Sequence, residues 1–459
     1  MRELRFLALN GLMHGNGFPP ESLSAGLEHE PDFIGVDAGS TDGGPYYLGS
    51  GDNMHSSRAA AKHVLRELLL AARGADVPLL VGSAATAGAD VHVEWTAAVV
   101  REIAREEGLE FDLGLVFAEQ SPDDLARRIE AGAVDPLDES APLTAADVEG
   151  SERVVAMMGP EAYVEALDRG ADVVIAGRSS DVAIFKAVAL REGFHEGLAT
   201  HLAKVVECGG LVALPRTGGD CMLGVLGDDA FRVSPTNPEK RTDPLTVASH
   251  LLYETADPTR FVEPRGTLDT TEATYRAVDD RTVEVRGSTF ERASPYTLKL
   301  EGAREVGHRG VAVAGVRDPA AIDAVDSLVA AAREAMDRKA SLLGVDGGEY
   351  RATFRVYGRD GVMGEREPAA AVAHEVGVFV EVIAPDAEGV DDLLEEATYH
   401  LFVSDFPGRK CTAGNAAFPT SPAHAPTGPA YEFSVWHAMA VEDPLDPFRV
   451  RVERVGGDR

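Results

Sequence analysis

Five short apolar runs, residues 4–9, 33–37, 78–82, 111–117 and 172–176, are separated by longer stretches whose apolar residues recur at helical spacing. In residues 59–73, for example, Ala60, Val64, Leu65, Leu68, Leu69 and Ala72 mark one face of a helix. The same spacing predicts helices over 91–107, 122–131, 161–169 and 181–192. Strands joined through segments of this length are crossover-connected, not hairpin-connected. The pattern therefore predicts an α/β N-terminal half: a mainly parallel sheet with helices on both faces.

A parallel sheet puts the carboxyl ends of its strands on one edge, and ligands of such folds bind there. The expected strand ends are rich in small polar residues. The run DAGSTDGGP, residues 37–45, holds two carboxylates, two hydroxyls and three glycines before its proline. Its glycines permit a concave backbone with N–H groups pointing inward. Asp37 and Asp42 suit a general base or a ligand of a metal, with Ser40 orienting a reactant. Gly82 and Ser83 end the third strand. After the fifth strand, Arg178, Ser179, Ser180 and Asp181 lead into a helix. Helix N–H groups beside an arginine fork form an expected anion site for a carboxylate or phosphate.

Past residue 230 the rhythm changes. Residues 282–286, 296–300, 311–316, 351–357 and 377–383 read as strands, with helices predicted over 320–342 and 390–400. This is the pattern of an α+β domain with an antiparallel sheet. The turn-rich stretch 227–238 is the expected boundary, giving an α/β domain over 1–230 that carries the site and an α+β domain over 231–459.

A chain of 459 residues exceeds the usual single-core size, which agrees with two domains. The 43 basic residues face 76 acidic ones, a net charge of −33. Such a field repels phosphate backbones and argues against nucleic-acid binding. Only seven lysines are present, at 62, 186, 204, 240, 299, 339 and 410. Carboxylate excess with lysine scarcity is expected of a halophilic, high-salt cytoplasm. No apolar run is long enough to cross a bilayer, and the first residues read as a strand, so a cytoplasmic protein is expected. Three scattered cysteines make neither a disulfide framework nor a metal motif. No generic phosphate-loop, serine-hydrolase or zinc motif occurs.

Other candidates are weaker. His14, His55 and His201 could ligate a metal with Asp37 or Asp52, although no spacing demands it; the cofactor is unknown, with room for a divalent metal. Cys208 follows a predicted helix over 198–206, at the end that lacks the dipole help that lowers a thiol pKa, which disfavours it as a nucleophile. Lys410, in the basic, glycine-bracketed run 408–415, is an expected supplementary charge for the catalytic set.

The blocks GRSSDVAIFKAVALREGF, HLAKVVECGG, PRTGGDCMLG and SHLLYETADPTRFVEPRGTLDTT occur in this order, followed by YTLKLEGAREVG and DPLDPFRV. In these the chain resembles the acyclic terpene utilization (AtuA-type) family over most of its length. GSAATAG, after the third strand, departs from the Asn-Ala-Gly-Gly-type segment typical of that family. The resemblance implies a place in the catabolism of branched isoprenoid acids as acyl-CoA thioesters, and for some members a small companion protein. It hands over no catalytic residues.

Together these readings give an enzyme of branched-chain carboxylic acid or acyl-CoA catabolism, of lyase or hydratase type. Its expected partners are a small carboxylate or acyl-CoA substrate, a small companion protein and further copies of itself, with no membrane. The alternative is a non-catalytic ligand-binding or assembly subunit whose companion carries the chemistry. The sequence separates the two only weakly: carboxylates at strand ends favour the first, and the absence of a catalytic triad favours the second.

Overall fold

The computed structural model describes residues 2–10, 17–53, 57–216, 218–345, 348–369, 371 and 373–457. They form two compact units: residues 1–304 with 433–459, and residues 305–432. The sequence rhythm expects a division at 230/231.

In the first unit, strands β1 (Glu3–Leu9), β2 (Phe33–Asp37), β3 (Leu79–Gly82), β4 (Phe111–Phe117) and β5 (Val173–Ala176) lie side by side in the order β1-β2-β3-β5-β4. All four pairings among them are parallel. Their residues alternate between two cores, as strand geometry requires. Leu79 and Val81 enter one core with Val64, Leu65 and Leu68 of helix α1 (Arg58–Ala75) and Val93 and Val100 of α2 (Asp90–Glu107). Leu80 enters the other with Ala162 and Tyr163 of α3 (Glu161–Asp168), Ile184 and Phe185 of α4 (Asp181–Arg191) and Leu202 of α5 (Glu196–Val206). Helices thus cover both faces of this parallel core.

The sheet as a whole corrects the expectation of a mainly parallel one. Among the described residues it has ten strands and is mixed. Beyond β1 come β6 (Cys221–Gly227), β7 (Phe231–Pro235), β8 (Thr274–Ala277) and β9 (Val283–Arg286) in the order β8-β9-β7-β6-β1, every neighbour antiparallel. At the far edge Arg449–Val455 pairs antiparallel with β4. The reason is connection length. Only Asp228, Asp229 and Ala230 separate β6 from β7, which is a hairpin and not a crossover.

The second unit is antiparallel throughout its described pairings. Val376–Ala384 pairs with residues 308–316 on one side and Arg351–Tyr357 on the other. Helices Val325–Leu343 and Ala387–Val403 share its core, through Leu328, Met336, Leu393 and Leu401. No described helix in either unit is long and apolar enough to cross a membrane.

Candidate active site

At the carboxyl edge of the parallel strands, the loop after β2 meets the loop after β3 backbone to backbone. A Cβ on Gly39 would lie 2.2 Å from Thr86 Cα, and one on Gly88 would lie 2.2 Å from Arg178 N. Only glycine permits either approach, which explains much of the glycine in DAGSTDGGP and GSAATAG. Ser83, Ala85 and Thr86 also adopt positive φ angles of 49°, 46° and 97°. Strain of this kind persists only where surrounding structure imposes it.

Three carboxylates converge at this edge. Asp37 ends β2, Asp181 opens α4, and Glu207 follows directly on α5; each offers an oxygen, and these oxygens lie within 4.8 Å of one another. Asp181 sits favourably at a helix N-terminus, whereas Glu207 stands at the negative end of α5, where a carboxylate is disfavoured. Its position is not explained by helix stability. Asp181 keeps a quarter of its side chain open to solvent, while Glu207 is buried.

Burial, then the neighbouring Asp181 and Glu207 charges, push Asp37 well above the usual carboxylate range. Burial raises Asp181 to about 7, with Glu207 adding to the shift and Arg178 opposing it. Burial also raises Glu207, against the pull of Lys204. Three like charges this close are not all ionised at neutral pH without a further cation.

Lys204 Nζ donates to Glu207 Oε1 at 2.6 Å and also lies over the rings of Tyr253 and Phe261. Burial works against its charge, but Glu207 keeps the ammonium above its ordinary value. His250 Nε2 lies beside the same carboxylate, 3.9 Å from Oε1, and has no hydrogen-bond partner among the described residues. Burial first, then the Lys204 charge, pushes this imidazole down to about 4, so it is neutral. Burial likewise raises the Cys208 thiol far out of the thiolate range, and Glu207 and Asp37 add to the shift.

Behind the cluster runs a second layer of paired charges. Arg178 Nε donates to Glu301 Oε2 at 2.7 Å, and Nη1 donates to the Ser179 carbonyl at 2.7 Å and to Ser83 Oγ at 3.3 Å. Glu301 also receives Thr41 Oγ1 and Lys299 Nζ, each at 2.8 Å. Burial opposes its ionisation, yet Arg178 and Lys299 hold it down at about 2. Nearby, Ser180 Oγ donates to Glu263, which also accepts from Lys186 at 3.2 Å.

The candidates from sequence fall as follows. Asp37, Asp181, Arg178, Ser179 and Ser83 come together. Asp42 is exposed, but its charge reaches both Arg178 and Asp181. Ser40 Oγ accepts from the Asp42 N–H at 3.1 Å and shapes that turn. Gly82 faces packed interior: a Cβ there would meet Tyr163 Oη and Ile184 at 2.4 Å. Arg178, expected to hold a substrate anion, is bound to a protein anion and is only 4% exposed. Ser180 is likewise engaged with Glu263. Lys410 belongs to the second unit, beside a pocket with Asp318, Phe406, Cys411 and Asn415. His201 is buried against Ser288, 2.6 Å away. His14 and His55 lie outside the described residues.

The sequence pattern of the family described as "Acyclic terpene utilisation family protein AtuA" matches residues 80–221 and 234–427. The chain belongs to that family. Neither a curated protein nor a solved structure matches the chain at a significant level. In this AtuA family member the matched segments include Arg178, Asp181, Lys204, Glu207, His250 and Glu301, whereas Asp37 and Asp42 precede them.

Sequence reasoning missed Glu207, Glu301, Lys204 and Lys299 as site residues. Lysine usage held the signal. In a chain with seven lysines, Lys186, Lys204 and Lys240 are buried against carboxylates and Lys299 is mostly covered. A residue avoided on the surface but kept inside has a specific partner.

Proposed function

We propose that this AtuA family member is a lyase of hydratase type, adding water to or removing it from a branched acyl compound derived from an acyclic terpene. The observation that carries the reading is the convergence of Asp37, Asp181 and Glu207 within 4.8 Å at the carboxyl edge of the parallel strands. Water addition to a double bond conjugated with a carboxyl or thioester carbonyl needs two proton movements. One proton leaves the attacking water as its oxygen bonds Cβ. Another reaches Cα as the π electrons shift through the carbonyl. The cluster supplies the negative charge that activates the water, and Asp181 gives it access to solvent. The Glu301–Arg178–Ser179 layer fixes the start of α4 and so aims Asp181.

Family membership supports the acyclic terpene relation, and the chemistry of the cluster supports proton transfer over nucleophilic catalysis by the protonated Cys208. The test is direct. Purified protein is offered branched 2-enoyl thioesters and the free acids, and loss of the conjugated chromophore is followed. Asp181→Asn is expected to lower turnover at least about 100-fold, the usual contribution of a positioned acid or base. Unchanged turnover in that variant would overturn the reading.

A further inference from the structure

We propose that Asp37, Asp181 and Glu207 bind one divalent cation of the Mn2+ class, with His250 as the fourth protein ligand. The inference rests on the reading of this cluster as the reaction centre and adds the agent that touches the water.

The carboxylates alone would not carry it, since acidic groups cluster without ions. The second observation is His250. Its side chain is 5% exposed, its Nε2 has no hydrogen-bond partner among the described residues, and that atom lies 3.9 Å from Glu207 Oε1. A buried imidazole nitrogen without a bond, beside one carboxylate of the cluster, is a ligand atom in want of a cation.

Geometry agrees. Ligand atoms on opposite sides of one ion are separated by twice the bond length: about 4.1 Å for Mg2+ and about 4.6–5.2 Å for Ca2+. The 4.8 Å limit on the carboxylate oxygens lies within reach of one ion after small side-chain rotations. An oxygen-rich set with one imidazole favours Mn2+ over Ca2+, which takes oxygen alone.

The local charges leave room for the ion. Lys299 is committed to Glu301, and two bases reach the cluster itself: Lys204 pairs with Glu207, and Arg178, bound mainly to Glu301, lies 3.5 Å from Asp181, so three carboxylates face two cations. Lys204 occupies one Glu207 oxygen and holds that carboxylate in place, as hydrogen-bonded partners of metal-binding carboxylates do. Asp37 orients through its bond from the Gly39 N–H, at 3.3 Å. A cation here would lower the pKa of a bound water and deliver hydroxide to Cβ, so the carboxylates would act through it.

The experiment is a Mn2+ titration of chelator-treated protein, read by the loss of the free-ion electron paramagnetic resonance signal. Molar KCl screens weak binding to the −33 surface. The expected result is one saturable site per chain, weakened more than tenfold in Asp37→Asn and in Glu207→Gln. His250→Gln is expected to weaken it less but measurably, with circular dichroism confirming that each variant is folded. No saturable binding, or binding indifferent to Asp37→Asn and Glu207→Gln, would overturn the inference. Two further outcomes separate it from the proposed function. Water addition that needs Asp181 but proceeds in chelator without added metal removes the cation and leaves the hydratase. A specific Mn2+ site in a protein that hydrates no branched enoyl compound removes the hydratase and leaves the cation.

Discussion

Arg178 Nε donates to Glu301 Oε2 at 2.7 Å, joining residues 123 positions apart in an ion pair whose side chains are 5% and 0% exposed. One partner follows β5; the other lies on a strand paired antiparallel with Arg153–Ala156. The pair therefore fixes two separate elements against each other beneath the carboxylate cluster. Removing one partner of a buried pair strands the other and costs about 3–5 kcal/mol. Arg178→Met and Glu301→Gln should each lower stability by about that amount in urea denaturation. The double variant should lose less than the sum, with a coupling of about 1–3 kcal/mol. Additive losses would show that the two residues act independently.

The glycine contact makes a second prediction. Gly39→Ala places a Cβ 2.2 Å from Thr86 Cα, while Gly44→Ala, at a φ of 95°, meets nothing within 4 Å among the described residues. Both carry backbone strain, but only the first forces two loops apart. Gly39→Ala should cost clearly more than about 1 kcal/mol and also weaken substrate turnover. Gly44→Ala should cost less and spare turnover. Equal effects in melting and activity would contradict the close approach.

Two buried histidines set a pH dependence. Burial pushes His92 down to about 4 and His201 to about 3. His92 bonds the Ala89 N–H and the Asp52 carbonyl, and His201 faces Ser288 and Tyr275. An unfolded histidine takes up its proton near 6.5, so between that pH and about 3 the unfolded chain binds protons that the native state refuses. Their contribution to stability is full above about 6.5 and is lost as pH falls toward 3. His201→Gln should flatten the slope of melting temperature against pH in this window. An unchanged slope would show that His201 titrates alike in both states.

Net charge supplies the fourth. Carboxylates on a surface of charge −33 repel over a Debye length of roughly 10 Å at 0.1 M salt and about 3 Å at 1 M. If this charge is an adaptation to a saline cytoplasm, melting temperature should climb steeply between those KCl concentrations. A flat profile would remove the halophilic reading.

How much of this was legible in the sequence depends on whether a signal was local. The parallel core was legible because runs such as the one ending at Asp37 are apolar on both sides and bounded by turn residues. The antiparallel edges were less so. Arg449–Val455 mixes Arg and Glu with Val, and its partner β4 lies more than 300 residues earlier, beyond any local pattern. At the site, Asp37, Asp181 and Arg178 were legible as strand-end residues of one sheet edge. Glu207 was not, because a glutamate ahead of two glycines reads as an ordinary helix end. Only the packing of α5 against the sheet carries it beside Asp37. Arg178 was legible as important, but its partner Glu301 comes from a strand whose half-exposed pattern looks unrelated to the parallel core.

The central claim is that the Asp37–Asp181–Glu207 cluster drives water addition, and solvent isotope incorporation tests it most directly. Protein in D2O is incubated with a branched 2-enoyl thioester, and the product is analysed by mass spectrometry for solvent-derived deuterium at Cα and hydroxyl at Cβ. The account predicts stoichiometric deuterium at Cα with the unmodified protein. It predicts rates at least about 100-fold lower in folded Asp181→Asn and Glu207→Gln. Incorporation at the unmodified rate in folded Glu207→Gln would contradict it.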